Sequence, residues 1–107
     1  MVEIITTTTD TIPNKKVTQI LGIAKGSTIR ARNVGRDIGA SFKNLIGGEI
    51  KSYTSMIQQS REEAFNRMVN DANDQGAYAI VNVRFVTSMV MQGAAEILAY
   101  GTAVKLK

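Results

Sequence analysis

The sequence contains no cysteine and no histidine. Histidine is the side chain whose ordinary titration falls near neutrality, and the cysteine thiolate is the usual soft nucleophile and soft-metal ligand. Their absence excludes a His-based triad, a thiol nucleophile, a zinc finger, and any single-chain transition-metal site with imidazole or thiolate ligands. Tryptophan is absent too, and three Phe and three Tyr supply all the aromatic surface. No uninterrupted apolar run approaches the ~20 residues of a membrane span, and residues 1–6 lack the basic-then-apolar pattern of a secretory leader. A soluble, cytoplasmic protein with no membrane partner is expected.

What is present fits one domain, residues 1–107. A chain of this size buries only about two-thirds of the surface it exposes unfolded. With no disulfide available and few bulky side chains, oligomerisation is a natural extra source of buried apolar area. Thirteen Lys and Arg against nine Asp and Glu give a net charge of +4, but the excess is spread along the chain and forms no basic tail. Nucleic-acid modules add aromatic platforms or a fold signature to their basic patch. Neither is visible, so a nucleic-acid partner is not expected.

Residues 4–9 are β-branched throughout and lead to a turn around Pro13, which reads as a short first strand. Residues 16–31 continue the β-branched composition through Gly22 and Lys25-Gly26-Ser27. They form either one long strand bent at a bulge or a hairpin turning at Lys25-Gly26. The period then lengthens: Ile38, Phe42, Leu45 and Ile46 share one helix face, with Asn33 as a candidate N-cap and Gly47-Gly48 as the stop. A second helix is predicted over residues 49–75. Its stripe is Ile50, Tyr53, Ile57, Ala64, Met68 and Ala72, with a Glu63 to Arg67 pair and Gly76 just past its end. Phe65 and Val69 lie to one side of that stripe, a position open to packing against the first helix or to a subunit contact.

Residues 77–90 alternate, with Ala79, Val81, Val83, Phe85, Thr87 and Met89 expected to face the helices and Ile80, Asn82, Arg84, Val86 and Ser88 the other way. Gly93 marks a turn into a last strand over residues 95–106, completing an antiparallel hairpin. The order β-β-α-α-β-β predicts an α+β two-layer sandwich, an antiparallel sheet with two central helices on one face. Ile80 and Val86 on the opposite face then suggest cover by other subunits.

Polar residues gather around the first helix and its exit. Lys43-Asn44 before Gly47-Gly48 at a helix N-terminus could present a cation and backbone N–H groups to an anion. The plainer reading is a helix joint with an Arg36–Asp37 ion pair. Asp37, Glu49, Glu62 and Glu63 are the carboxylates available to a hard cation, although Glu62 and Glu63 diverge by about 100° on a helix. Arg61 borders the apolar stripe and is expected to be paired at an interface. Ser41 and Lys43 are two apart and point away from each other, so no catalytic constellation is seen and no enzyme is expected.

Asn33-Val34-Gly35-Arg36-Asp37, Lys43-Asn44-x-x-Gly47-Gly48-Glu49, Tyr53 and Arg61-Glu62-Glu63-Ala64 are followed by Gly76-Ala77-x-Ala79-x-Val81-x-Val83-Arg84-Phe85 and the stretch from Glu96-Ile97-Leu98 to Ala103-Val104. Together these segments resemble the YbjQ family of small uncharacterised bacterial proteins. The resemblance covers nearly the whole chain. It implies a dodecin-like subunit in a ring-shaped homopentamer, and a heavy-metal-binding label for which the soft donors beyond Met1 are Met56, Met68, Met89 and Met91, at positions where methionine more often packs. No enzyme activity or cofactor comes with it. The expectation is a non-enzymatic homopentamer acting as a small-ligand or partner-binding scaffold. Arg36, Asp37, Lys43, Asn44, Glu49, Tyr53 and Arg61 are the candidate residues for a small anionic ligand. The alternative is a metal-ion-binding protein using carboxylates at subunit junctions.

Overall fold

The computed structural model describes residues 3–31, 50–91 and 94–107. In chain order the elements are β1 (Ile5–Thr6), β2 (Val17–Ala31), α1 (Ile50–Asp74), β3 (Ala79–Met91) and β4 (Ala94–Leu106). The predicted first helix, with Asn33, Ile38 and Gly47-Gly48, lies outside the described residues. The four strands form one sheet in the order β1-β3-β4-β2. Both β2–β4 and β3–β4 are antiparallel, as the hairpin reading requires. However, β1 runs parallel to β3, so the sheet is mixed and not wholly antiparallel. The cause is the route of the chain. β1 and β2 sit at opposite edges, and the connection between them crosses the sheet and places Ile12 against Ala79, Val81 and Val104. Pro13 and Asn14 form the corner of that connection, where the Lys15 amide donates to the Ile12 carbonyl at 3.1 Å and Asn14 takes a positive φ of 63°. These are the features of a type II turn.

Residues 17–31 are a single strand and not a hairpin. Its register shifts fall between Val17 and Gln19 and between Ile20 and Gly22, the second at a glycine with φ of 150°. Gly26 serves a different purpose. A Cβ there would collide with the Met68 amide nitrogen, the Ala64 carbonyl and the Arg67 Cβ, so its missing side chain is what lets α1 lie directly on β2.

α1 buries Ser60, Ala64, Met68 and Ala72 completely, four positions at i, i+4, i+8 and i+12 that form one narrow, mostly small face. It ends as predicted. The Ala77 amide donates to the Ala72 carbonyl and the Gly76 amide to the Asn73 carbonyl, both at 3.0 Å, with Gly76 at φ 81°. This paired closure satisfies the last carbonyls of the helix and needs a residue without a Cβ at Gly76. Phe65 and Val69 are half-buried against the same core, and Phe65 stacks on Phe85 of β3 with ring centroids 6.5 Å apart. The side arc of the helix therefore touches a strand of its own chain.

The predicted facing of β3 is right beyond Asn82 and inverted before it. Ile80 is fully buried in the core under α1, whereas Ala79 and Val81 belong to the small cluster on the opposite face beneath Ile12. The register with β4 shifts between Val81 and Arg84, and Asn82 adopts a φ of 56°. One extra residue at a bulge reverses the side on which every later residue emerges. The N-terminal arm holds the bulge open: the Thr7 amide donates to the Ile80 carbonyl, the Val83 amide to the Thr7 carbonyl, and the Asn82 amide to the Thr9 carbonyl, all at 3.0 Å. Arg84 adds a donation from Nη1 to the Thr8 carbonyl at 2.9 Å.

Candidate ligand and assembly surface

Of the residues singled out from sequence, Arg36, Asp37, Lys43, Asn44 and Glu49 lie outside the described residues, and Tyr53 is placed only as a position on α1. Arg61 and Glu62 stand exposed on α1, and among the described residues Arg61 has no ion-pair partner of the kind expected for it. Arg67 turns toward the sheet, donating from Nη1 to the Ser27 carbonyl at 2.6 Å.

The described residues do form one shallow open cleft, of about 420 Å³, lined by Lys25, Gly26, Ser27, Arg67 and Leu98. It exists because α1 lies close on Gly26 at the outer edge of β2, so that the Arg67 side chain and the β2 backbone share a rim. Two cations border it, and a small anion is the ligand that such a rim could attract. The sequence signal for these residues was the glycine at 26 in a β-branched run together with a long cation at 67 on the helix. Reading either alone gives no cleft, because the partners are far apart in the chain.

Among the described residues no three of His, Cys, Asp and Glu converge in a way that could hold a metal ion, and every buried side-chain nitrogen or oxygen has a hydrogen-bond partner. Thr28 illustrates this: its hydroxyl donates to the Ser60 carbonyl at 3.2 Å, and the Ser60 hydroxyl donates to the Met56 carbonyl at 2.9 Å. No helix among the described residues is long and apolar enough to cross a membrane.

The sheet face turned away from α1 carries exposed isoleucines on either side of Lys25 and Ser27. Ile20, Ile23 and Ile29 of β2 are 70%, 68% and 60% exposed, and Val86 and the half-buried Leu98 lie on the same face, since Ser27 pairs with Leu98 and Val86 with Leu98 across the ladder. Soluble domains rarely present such a row of large aliphatic side chains without a purpose.

Among the described residues, a mixed four-stranded sheet carrying one long helix, with exposed isoleucines on its open face, defines a small single-sheet α+β protein. The chain belongs to the YbjQ family, described as "putative heavy-metal-binding", which it matches over residues 4–107. It is similar to proteins named UPF0145 from archaea as well as bacteria. One from Archaeoglobus fulgidus is 57% identical over 105 residues, spanning 98% of this chain and 97% of that one. One from Methanosarcina acetivorans is 59% identical over 99 residues, 92% of this chain and 93% of that one. One from Thermus thermophilus is 48% identical over 107 residues, 100% of this chain and 94% of that one. In fold, it is similar to the crystal structure of a protein of unknown function of the DUF74 family from Pediococcus pentosaceus. That comparison has a TM-score of 0.64 at 15% identity and covers 97% of this chain and 98% of that one.

The family description raises the question of a soft metal ion, and the donor set does not fit one. There is no thiolate or imidazole anywhere in the sequence. Of the methionines, Met68 is fully buried in the core beneath β2, where a thioether packs and does not coordinate, and Met89, 78% exposed on β3, would be a lone thioether donor there.

Proposed function

We propose that the protein is a non-enzymatic, cytoplasmic homo-oligomer, a pentamer, that serves as a scaffold binding a small anionic ligand or a partner. The observation that carries this reading is shape. The described Cα positions span 53 × 24 × 24 Å with a radius of gyration of 17.1 Å, against about 13 Å for a compact domain of this length. An elongated subunit with three exposed isoleucines on one sheet face has apolar surface that a second copy would bury. In a ring, the cations of each subunit recur around the axis, so Arg36, Lys43 and Arg61, with Lys25 and Arg67 at the cleft, concentrate a positive field favourable to anions.

Light scattering on the purified protein tests the assembly, with five times the 11.6 kDa chain mass expected; a monomeric mass would overturn it. The ligand half is tested by calorimetric titration with inorganic phosphate of the parent, Arg36→Ala and Lys43→Ala. Loss of binding with mass preserved supports a ligand site, whereas dissociation of the variants with no phosphate affinity in the parent assigns these residues to an interface network.

The family description favours a second reading, a metal-ion protein whose carboxylates meet at subunit junctions. Titration with Zn²⁺, Cu²⁺ and Ni²⁺ separates the two. Weak, non-stoichiometric heats are expected, and stoichiometric binding at about micromolar affinity or tighter would favour the metal.

A further inference from the structure

β2 is an edge strand of 15 residues whose helix-free face carries three exposed isoleucines. A long aliphatic edge with unpaired backbone groups is a template on which another extended chain can pair. In the centre of this edge three of the outward groups, one on each of residues 23, 25 and 27, are taken by side chains of the helix and its end. Arg67 Nη1 donates to the Ser27 carbonyl at 2.6 Å, the Lys25 amide donates to Asp71 Oδ2 at 3.0 Å, and Gln75 Nε2 donates to the Ile23 carbonyl at 3.1 Å. Residues 23, 25 and 27 point their backbone groups to the same side of the strand, the side away from β4. Successive rungs use every fourth residue of the helix and every second residue of the strand. The spacing works because four helical residues rise about 6 Å, close to the ~6.7 Å of two strand residues. The chemistry alternates with the backbone: two donors meet the two carbonyls, and the one carboxylate meets the amide.

We propose that α1 guards the edge of β2. Arg67, Asp71 and Gln75 occupy the hydrogen-bonding positions that an extended segment of a second copy of this chain would need, so that strand addition at residues 23–27 is blocked and self-association is confined to other surfaces. The three polar side chains are not required merely to seat the helix, because the fully buried Ser60, Ala64, Met68 and Ala72 already do so. The inference is independent of the pentamer: the parent mass decides that question, and the change on removing the ladder decides this one.

The test is the triple variant Arg67→Ala, Asp71→Ala, Gln75→Ala, followed by light scattering over a range of concentrations and by thioflavin T fluorescence, with helix content checked by circular dichroism. The expected result is a folded protein whose mass climbs to multiples of the parental value and whose dye signal rises with it. Adding Lys25→Pro, which removes the central edge amide and obstructs the edge, is expected to return both readings to parental values, since proline is tolerated on outward-facing edge positions. A rise that Lys25→Pro leaves in place would overturn the proposal, as would a folded triple variant with parental mass and dye response. If the triple variant loses its helix signal, Asp71→Ala alone is read by the same two measurements, and parental values there overturn it as well.

Discussion

Gly26 determines how near α1 approaches β2. Any side chain at this position would strike the helix backbone at Ala64 and Met68, and helix backbone cannot swing away as a side-chain tip can. Gly26→Ala is therefore an overpacking change, of the kind that costs about 1–3 kcal/mol. Thermal denaturation is expected to show a melting point lowered by several degrees or more, with the neighbouring Ser27→Ala close to parental; a Gly26→Ala protein that melts with the parent would show that the helix sits farther off. Asn82 is a second residue whose conformation outweighs its chemistry. Its φ of 56° is one that asparagine tolerates far better than the β-branched residues beside it, and the bulge sits at the one polar position in the run from Ala79 to Val83.

At the scale of elements, α1 was legible because one face repeats at 3.6 residues and Gly76 punctuates it, and both signals are local. The strand character of β3 was legible for the same reason, but its facing was not. Alternation records which residues share a side only while the register holds, and at Asn82 the register is broken by residues 7–9, some 75 positions away. Ile80 consequently changed from an apparent surface residue to a fully buried one. For β2 the sequence left a single bulged strand and a hairpin at Lys25-Gly26 both open, and the choice is made by the helix that needs the glycine. Of the candidate site, the cluster around residues 36–49 lies outside the described residues, and the cleft at Lys25 and Arg67 depends on two elements meeting, which no local pattern records. The side arc of α1 yields a prediction. Phe65 is half-buried and stacked on Phe85, so Phe65→Glu places a charge against an aromatic core edge and is expected to cost about 2–4 kcal/mol. Chemical denaturation should show the loss of stability while light scattering shows parental mass. A variant of parental stability and reduced mass would instead place Phe65 at a subunit contact.

At the largest scale, the described residues span 53 Å in their long dimension, while the main core lies between α1 and the sheet. Much of the apolar surface at Ile20, Ile23 and Ile29 has no cover from α1, which lies on the other face. If a second copy supplies that cover, part of the folding free energy is association free energy, and stability becomes linked to concentration by mass action. The melting temperature is then expected to rise with protein concentration over a hundredfold range, and Ile23→Lys to abolish the dependence. A melting point constant across that range would mean that the monomer is stable with its aliphatic face in water.

The ladder between α1 and β2 behaves like a vernier. Each rung of the helix scale falls short of the strand scale by about 0.7 Å, so two steps accumulate about half a hydrogen bond's length of error and four steps nearly a full one. Three consecutive rungs are thus close to the most that a straight helix can align with a straight strand. A 15-residue strand thus falls out of step with the helix before its own ends are reached, and the two scales alone dictate that such a helix screens a strand's middle and leaves its tips.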